Sequence, residues 1–453
     1  MVSKYKKAFR TISWLILITC FTAALFHSPA GLAKTASPFD PYTKIKLDSG
    51  LTLIVKEVHS APIAAVDIWV GTGAKNETPE IAGISHFFEH MLFKGTGKRK
   101  VGEIAQAIKA VGGYQNAETS LDTTHYYVVV PSDKVNLALD IEADAIMNSS
   151  FDPQEIERER QVILEEKRLK EDNPQGKLGL MVYQTLFTGT PYANDVLGTS
   201  DTLAKINHDT FVSYYQRYYR PDNIVAVVVG DVNSEQIIDQ ARLLFKDFKG
   251  STKKPALEFK VPTFDKIERV TATMQVDQTY LYFGFPGPGM NHRDEAALSL
   301  LGVIMGGGAG SRLNQEILEK KQLVNEIAAG YSAMEKLGMF VIYARLKKDQ
   351  TVTLESEVQK MISRISNQGV TSAELIRAKA MLRSDIAYTT ESDANIASII
   401  GEYQINGDLE DAAIYLTNLQ NVTAKDVQRV AKTYLNPKAY VLARIVPQEV
   451  NNQ

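Results

Sequence analysis

The sequence predicts an α+β protein built from two homologous αβ halves, and three observations carry that expectation. Segments of strand character are interleaved with segments of helical spacing along the whole chain, a pattern that by itself admits α+β or α/β. An internal repeat relates the halves. "HDTFVSYYQRYYRPDNIVAVVVGDV" from His208 is matched by "AKDVQRVAKTYLNPKAYVLARIVP" from Ala424, each a helix with an aromatic-rich end, a proline and an apolar strand. Pro221 and Pro437 stand 216 residues apart, and "VDIWVGTG" from Val66 pairs with "LYFGFPGPG" from Leu281 at a similar offset. Third, 453 residues at 44% hydrophobic and 23% charged is a globular composition with enough length for two cores. Disordered and fibrous classes are excluded. A formal charge of −3 leaves no basic surplus for phosphate binding, so nucleic acid is not an expected partner.

Taken in order, residues 1–33 read as a secretory signal peptide. Lys4, Lys6, Lys7 and Arg10 precede an apolar run from Ile12 to Phe26, and small residues at Gly31 and Ala33 offer a cleavage site after Ala33. The run falls short of the ~20 apolar residues a membrane span needs, so no membrane association is expected after cleavage. Cys20, the only cysteine, lies inside it, which denies the mature chain disulfides, thiolate metal sites and a cysteine nucleophile. The expected location is periplasmic or secreted. After "TASPFDPY", the stretch "TKIKLDSGLTLIVKEV" alternates around Asp48-Ser49-Gly50 as a β-hairpin, and "APIAAVDIWVG" is a further strand. "GISHFFEHMLF" and "VGEIAQAIKAVGG" have helical spacing. The first half is expected to span residues 34–248. Lys, Pro and Gly then interrupt the pattern in a linker at 249–264, and the second half covers 265–453.

The chemistry concentrates in "HFFEH". On a helix His86 and His90, four residues apart, share one face and can present two imidazoles to one cation, for which zinc is well suited. Glu89 sits close enough to act as a base on a water at that cation. Phe87, Phe88, Met91 and Leu92 supply a dry wall. A catalytic zinc takes three protein ligands, and His59, His125, His208 and His292 lack ligand-like surroundings in the sequence. A carboxylate is left. The acidic helix "DPQEIERERQVILEEKRLKEDNP" offers Glu159 and Glu166 on one face, among residues that otherwise read as solvated ion pairs. The second half has "LSLLGVIMGG" where the first has HFFEH, so the fold does not itself require the histidines.

HxxEH is the inverted zinc-peptidase motif, and the mature chain resembles the pitrilysin/insulinase family nearly end to end, in particular its short-chain bacterial, mitochondrial-processing-peptidase-like members. The resemblance implies a half-clamshell of two similar αβ domains and one zinc ion per chain. It places the third ligand about 76 residues after the second histidine in an "ERxxVxxEE"-like helix, which selects Glu166, with Glu159 as its supporting carboxylate. It also identifies "NAETSLDTTHYYVVV" with the edge strand that pairs with substrate backbone, at Asn116, Ala117 and Thr119. The implied activity is a zinc endopeptidase acting on short or unfolded peptides, with Glu89 as general base. The alternative is a non-catalytic core or interaction subunit of the same fold.

The chain departs from the family pattern in the second half. Full-length members carry an arginine and a tyrosine in an "LREKxGLAY" setting, whereas "ILEKKQLVNEI" has Leu318 and Asn325 there. Arg312 and Tyr331 lie nearby but out of place and are read as structural. The resemblance then implies a homologous partner subunit that supplies the missing pair in a heterodimer, with a homodimer as the other arrangement. The glycine run from Met305 to Leu313 is read either as a substrate-facing loop or as a helix-to-loop turn.

Overall fold

Around Asp48-Ser49-Gly50 the chain folds back as β1 (Thr43–Lys46) and β2 (Thr52–Glu57), paired antiparallel. The computed structural model describes residues 39–250, 257–347 and 350–448. The expected leader, residues 1–33 with Cys20, lies outside them, as do residues 251–256 of the expected linker. The first sheet is completed by β3 (Ile63–Val70), β4 (Tyr114–Thr119), β5 (Thr124–Pro131) and β6 (Ile224–Gly230), in the order β1-β2-β6-β3-β5-β4. The second contains β7 (Glu268–Met274), β8 (Thr279–Pro288), β9 (Glu326–Ala333), β10 (Leu337–Leu346) and β11 (Val441–Pro447), in the order β7-β11-β8-β10-β9. Without β1 the two orders are the same topology, and each sheet has its one parallel pair at the equivalent place, β2 with β6 and β7 with β11. The internal repeat is therefore a repeat of fold. Its two prolines stand just before β6 and β11.

Eight helices are described in the first half: α1 (Ile84–Leu92), α2 (Glu103–Ala110), α3 (Val135–Asn148), α4 (Pro153–Glu171), α5 (Pro174–Leu186), α6 (Ser200–Lys205), α7 (His208–Tyr218) and α8 (Ser234–Leu244). The second half adds α9 (Glu295–Gly306), α10 (Thr351–Gln368), α11 (Ser372–Thr389), α12 (Asp393–Asn406), α13 (Glu410–Asn421) and α14 (Ala424–Tyr434). Among the described residues no helix is long and apolar enough to cross a membrane.

In β6 every residue is buried, and in β3 all but Ile63. Such continuous apolar strands need cover on both faces. Alternate residues Ala64, Val66, Ile68 and Val70 enter the core beneath α1 and α3, while Ala65 and Trp69 point the other way. That other face is closed by α12, from the second half, through Ile396, Ala397 and Ile400. The arrangement is reciprocal: α5, from the first half, covers β8 and β11 with Leu178, Val182 and Leu186 against Met339, Val441 and Ala443. Each sheet thus takes one covering helix from the other half.

The α12 contact is tight enough to test. A Cβ built on Gly401 would lie 2.2 Å from two atoms of the Trp69 indole, itself buried and stacked on His125 at 4.0 Å between ring centroids. Gly401→Ala gains about 1 kcal/mol of helix propensity but forces the indole or the helix to move, an overpacking cost of about 1–3 kcal/mol. Net destabilisation of up to about 2 kcal/mol is expected in urea unfolding, and a gain in stability would show the helix–sheet contact to be loose.

Candidate metal centre

Helix α1 is fixed by its N-terminus and by its buried face. Gly83 precedes it with φ +95°, and a Cβ there would come within 2.9 Å of the Leu197 carbonyl oxygen. Only glycine meets both demands. The buried Glu77 carboxylate then caps the helix, accepting from Gly83 N–H and Ser85 N–H at 2.7 Å each. Burial pushes the Glu77 carboxyl up to about 8, against the pull of the bonds from Ser85 and Gly83. Phe87 and Phe88 are fully buried, packing on Phe211 and Tyr219. Each such burial is worth roughly 1.5–3 kcal/mol, so the helix cannot slide without large loss.

On the opposite face His86 and His90 stand together, ring centroids 4.7 Å apart, and α4 packs across α1 to bring in Glu166. Glu166 Oε2 lies 3.6 Å from His86 Nε2 and 3.5 Å from His90 Nε2. The three donor atoms fall within 4.8 Å of one another, the only such group of three or more His, Cys, Asp or Glu among the described residues. Ligand atoms about 2.1 Å from a shared ion at tetrahedral angles stand about 3.4 Å apart, so the two measured spacings fit a four-coordinate zinc. The donor set of two imidazoles and one carboxylate fits it chemically as well.

Protonation follows burial and neighbours. His86 is driven well down, to about 4, by burial and by the adjacent His90, which leaves a neutral imidazole able to ligate. Its Nδ1 is buried without a hydrogen-bond partner. For His90 burial also lowers the pKa, but the carboxylates of Glu166 and Glu159 outweigh it and the net shift is upward. Glu166 is lowered, chiefly by His90. Glu159 accepts from His90 Nδ1 at 3.1 Å, which turns Nε2 toward the cluster, and Lys94 Nζ donates to its other oxygen at 2.6 Å. Removing such a ligand-orienting carboxylate characteristically weakens metal binding 10–100-fold. Glu159→Ala is expected to do so by about that factor in a chelator competition with zinc, and unchanged affinity would reduce Glu159 to a partner of Lys94.

Glu89 turns from the same helix toward β4, where Thr119 Oγ1 donates to its Oε2 at 2.6 Å. Burial raises its pKa and the Thr119 bond opposes the rise. Strand β4 is one of the two edge strands of its sheet. Asn116 is exposed and Ala117 packs on the core, while Thr119, expected from the sequence only to meet substrate backbone, also commits its hydroxyl to Glu89.

In the second half, Leu318 is half-buried in a π-helical turn (Asn314–Lys320) against the core, and Asn325 is exposed with its N–H on the Arg345 carbonyl. Arg312 is paired with Glu374, and the Tyr331 hydroxyl donates to the Pro288 carbonyl. The glycine run ends α9 and turns into the π-helical segment. Sequence reasoning missed Glu77, Lys94 and the pair of His125 with buried Asp67, 3.0 Å apart. Only tertiary contact reveals them.

Residues 52–200 match the model of the insulinase family (peptidase family M16), and residues 205–382 that of the peptidase M16 inactive domain. An uncharacterized zinc protease, YmxG, of Bacillus subtilis (strain 168) is 32% identical over 88% of this chain and 97% of its own length. The chain belongs to the insulinase family. Among solved structures, a protease from Helicobacter pylori superposes on this insulinase-family chain with a TM-score of 0.85 at 25% identity, covering 90% of this chain and 99% of its own. A peptidase M16 inactive domain from Pseudomonas fluorescens, at 22% identity, shares the fold with a TM-score of 0.80, covering 91% and 100%. The metal-capable cluster lies within the insulinase match, and the half matched mainly by the inactive-domain model carries no such group among its described residues.

Proposed function

We propose that this chain is a zinc-dependent endopeptidase, with His86, His90 and Glu166 holding one zinc ion and Glu89 as general base. The observation that supports it most is the convergence of two imidazole nitrogens and a carboxylate oxygen beside a second, buried carboxylate. Bound there, zinc supplies a Lewis acid that polarises a peptide carbonyl and acidifies water. Glu89 takes the proton of the attacking water on a carboxylate oxygen and returns it to the leaving amine as the C–N bond breaks. Thr119 fixes the Glu89 carboxylate, and Glu159 with Lys94 fixes the His90 ring. The exposed edge of β4, at Asn116, Ala117 and Thr119, aligns substrate backbone by strand addition, which favours short or unfolded peptides over folded proteins.

With Leu318 and Asn325 in place of the arginine and tyrosine, donors for the developing oxyanion come from a homologous partner subunit in this reading. The basic and apolar N-terminal stretch supports export to the periplasm or beyond. Elemental analysis for zinc, with cleavage of quenched peptides by the chain alone and with a homologous subunit bearing the pair, tests the proposal. A zinc-free chain that cleaves nothing in either setting would leave an interaction subunit in its place.

A further inference from the structure

The metal-capable cluster is closed on the α1 side and open on the α4 side: the His86 side chain is 8% exposed, that of Glu166 47%. Helix α4 is strongly charged, and its exposed positions from Gln154 to Glu171 are polar or charged with two exceptions, Val162 and Leu169, 50% and 57% exposed. These two are placed four residues before and three residues after Glu166, so all three lie on one helix face. Exposed apolar residues scattered singly need no explanation. Here the exceptions fall one turn to either side of the one α4 carboxylate that reaches both histidines.

Resting on the peptidase reading above, we infer that Val162 and Leu169 are specificity-determining residues, an apolar surface that receives the side chains flanking the scissile bond of a peptide. At 1.5 Å per helical residue they stand about 6 and 4.5 Å along the axis from Glu166. A peptide lying extended along α4 would advance about 3.3 Å per residue, which places the two side chains beside its first or second neighbour. Nothing else on the exposed face of α4 would favour an apolar side chain. The substrate class is therefore peptides with leucine-like residues immediately beside the cleaved bond.

The test uses the full zinc-loaded chain, with its partner subunit where cleavage requires one, and quenched peptides that differ only in carrying leucine or serine at the flanking positions. Apolar pockets of this kind discriminate by about 10-fold or more in kcat/KM. The parent chain is expected to show that ratio, and V162S/L169S to bring it below about 3-fold. The same peptides, titrated by fluorescence anisotropy against Glu89→Gln with and without V162S/L169S, should show the preference and its loss in binding alone. A leucine-to-serine ratio that the double substitution leaves unchanged overturns the inference. So does an unchanged ratio with altered subunit association in sedimentation, which would assign both side chains to a protein partner. A parent chain that cleaves without discrimination overturns this inference only, whereas one that holds zinc and cleaves nothing overturns the peptidase reading with it.

Discussion

Glu89→Gln is expected to keep the zinc content of the parent chain and to lose peptide hydrolysis by about 10²–10⁴-fold, the usual contribution of a positioned general base. The carboxamide has the shape of the carboxylate and still accepts from Thr119 Oγ1, whose 2.6 Å bond fixes the side chain against β4. What it lacks is the capacity to take up a proton. In the proposed site the ligand donors belong to His86, His90 and Glu166, so the substitution separates metal binding from chemistry. Elemental analysis and a quenched-peptide assay on the same preparation read both. Hydrolysis at the parent rate would remove Glu89 from the reaction.

His86→Ala is expected to abolish zinc binding and activity together. Two donors remain where a catalytic zinc takes three. A metal that binds only the folded state stabilises it by about 4 kcal/mol when present at a thousandfold over its dissociation constant. Added zinc should therefore raise the melting temperature of the parent chain and leave that of His86→Ala unmoved. The comparison within each protein cancels the packing lost with the buried ring. A zinc-dependent shift that survives in the variant would place the ion elsewhere.

How much of this was legible in the sequence depends on the range of each interaction. His86 and His90 could be read as partners because helical period alone brings them together, and α1 forms with both on one face. Glu166 could not be chosen on those grounds: Glu155, Glu157, Glu159, Glu165, Glu166 and Glu171 share its helix. The family's spacing separated it from Glu159, and the structure brings Glu166 to both histidines while Glu159 meets only the far nitrogen of His90. The repeat was visible because β6 and β11 each follow a proline at a helix end. The Glu77 cap had no local signature, since its oxygens meet Gly83 and Ser85 only once the intervening chain has turned back. The destinations of α5 and α12 were hidden for a similar reason: an apolar helix face declares that it will be covered, without naming the sheet that covers it.

The crossed covering helices carry a consequence for how this architecture can change. Taken alone, the first half would leave Ile54, Ala65, Trp69 and Val227 facing water, and the second would bare Met339, Val441 and Ala443. Either fragment would be sticky and short-lived. A gene cut at the connector could survive only if both products were made in the same cell at the same time. Having interlocked, the duplicated halves are bound to a shared fate, and the half that lacks the His86, His90 and Glu166 cluster stays because the half that has it cannot stand alone.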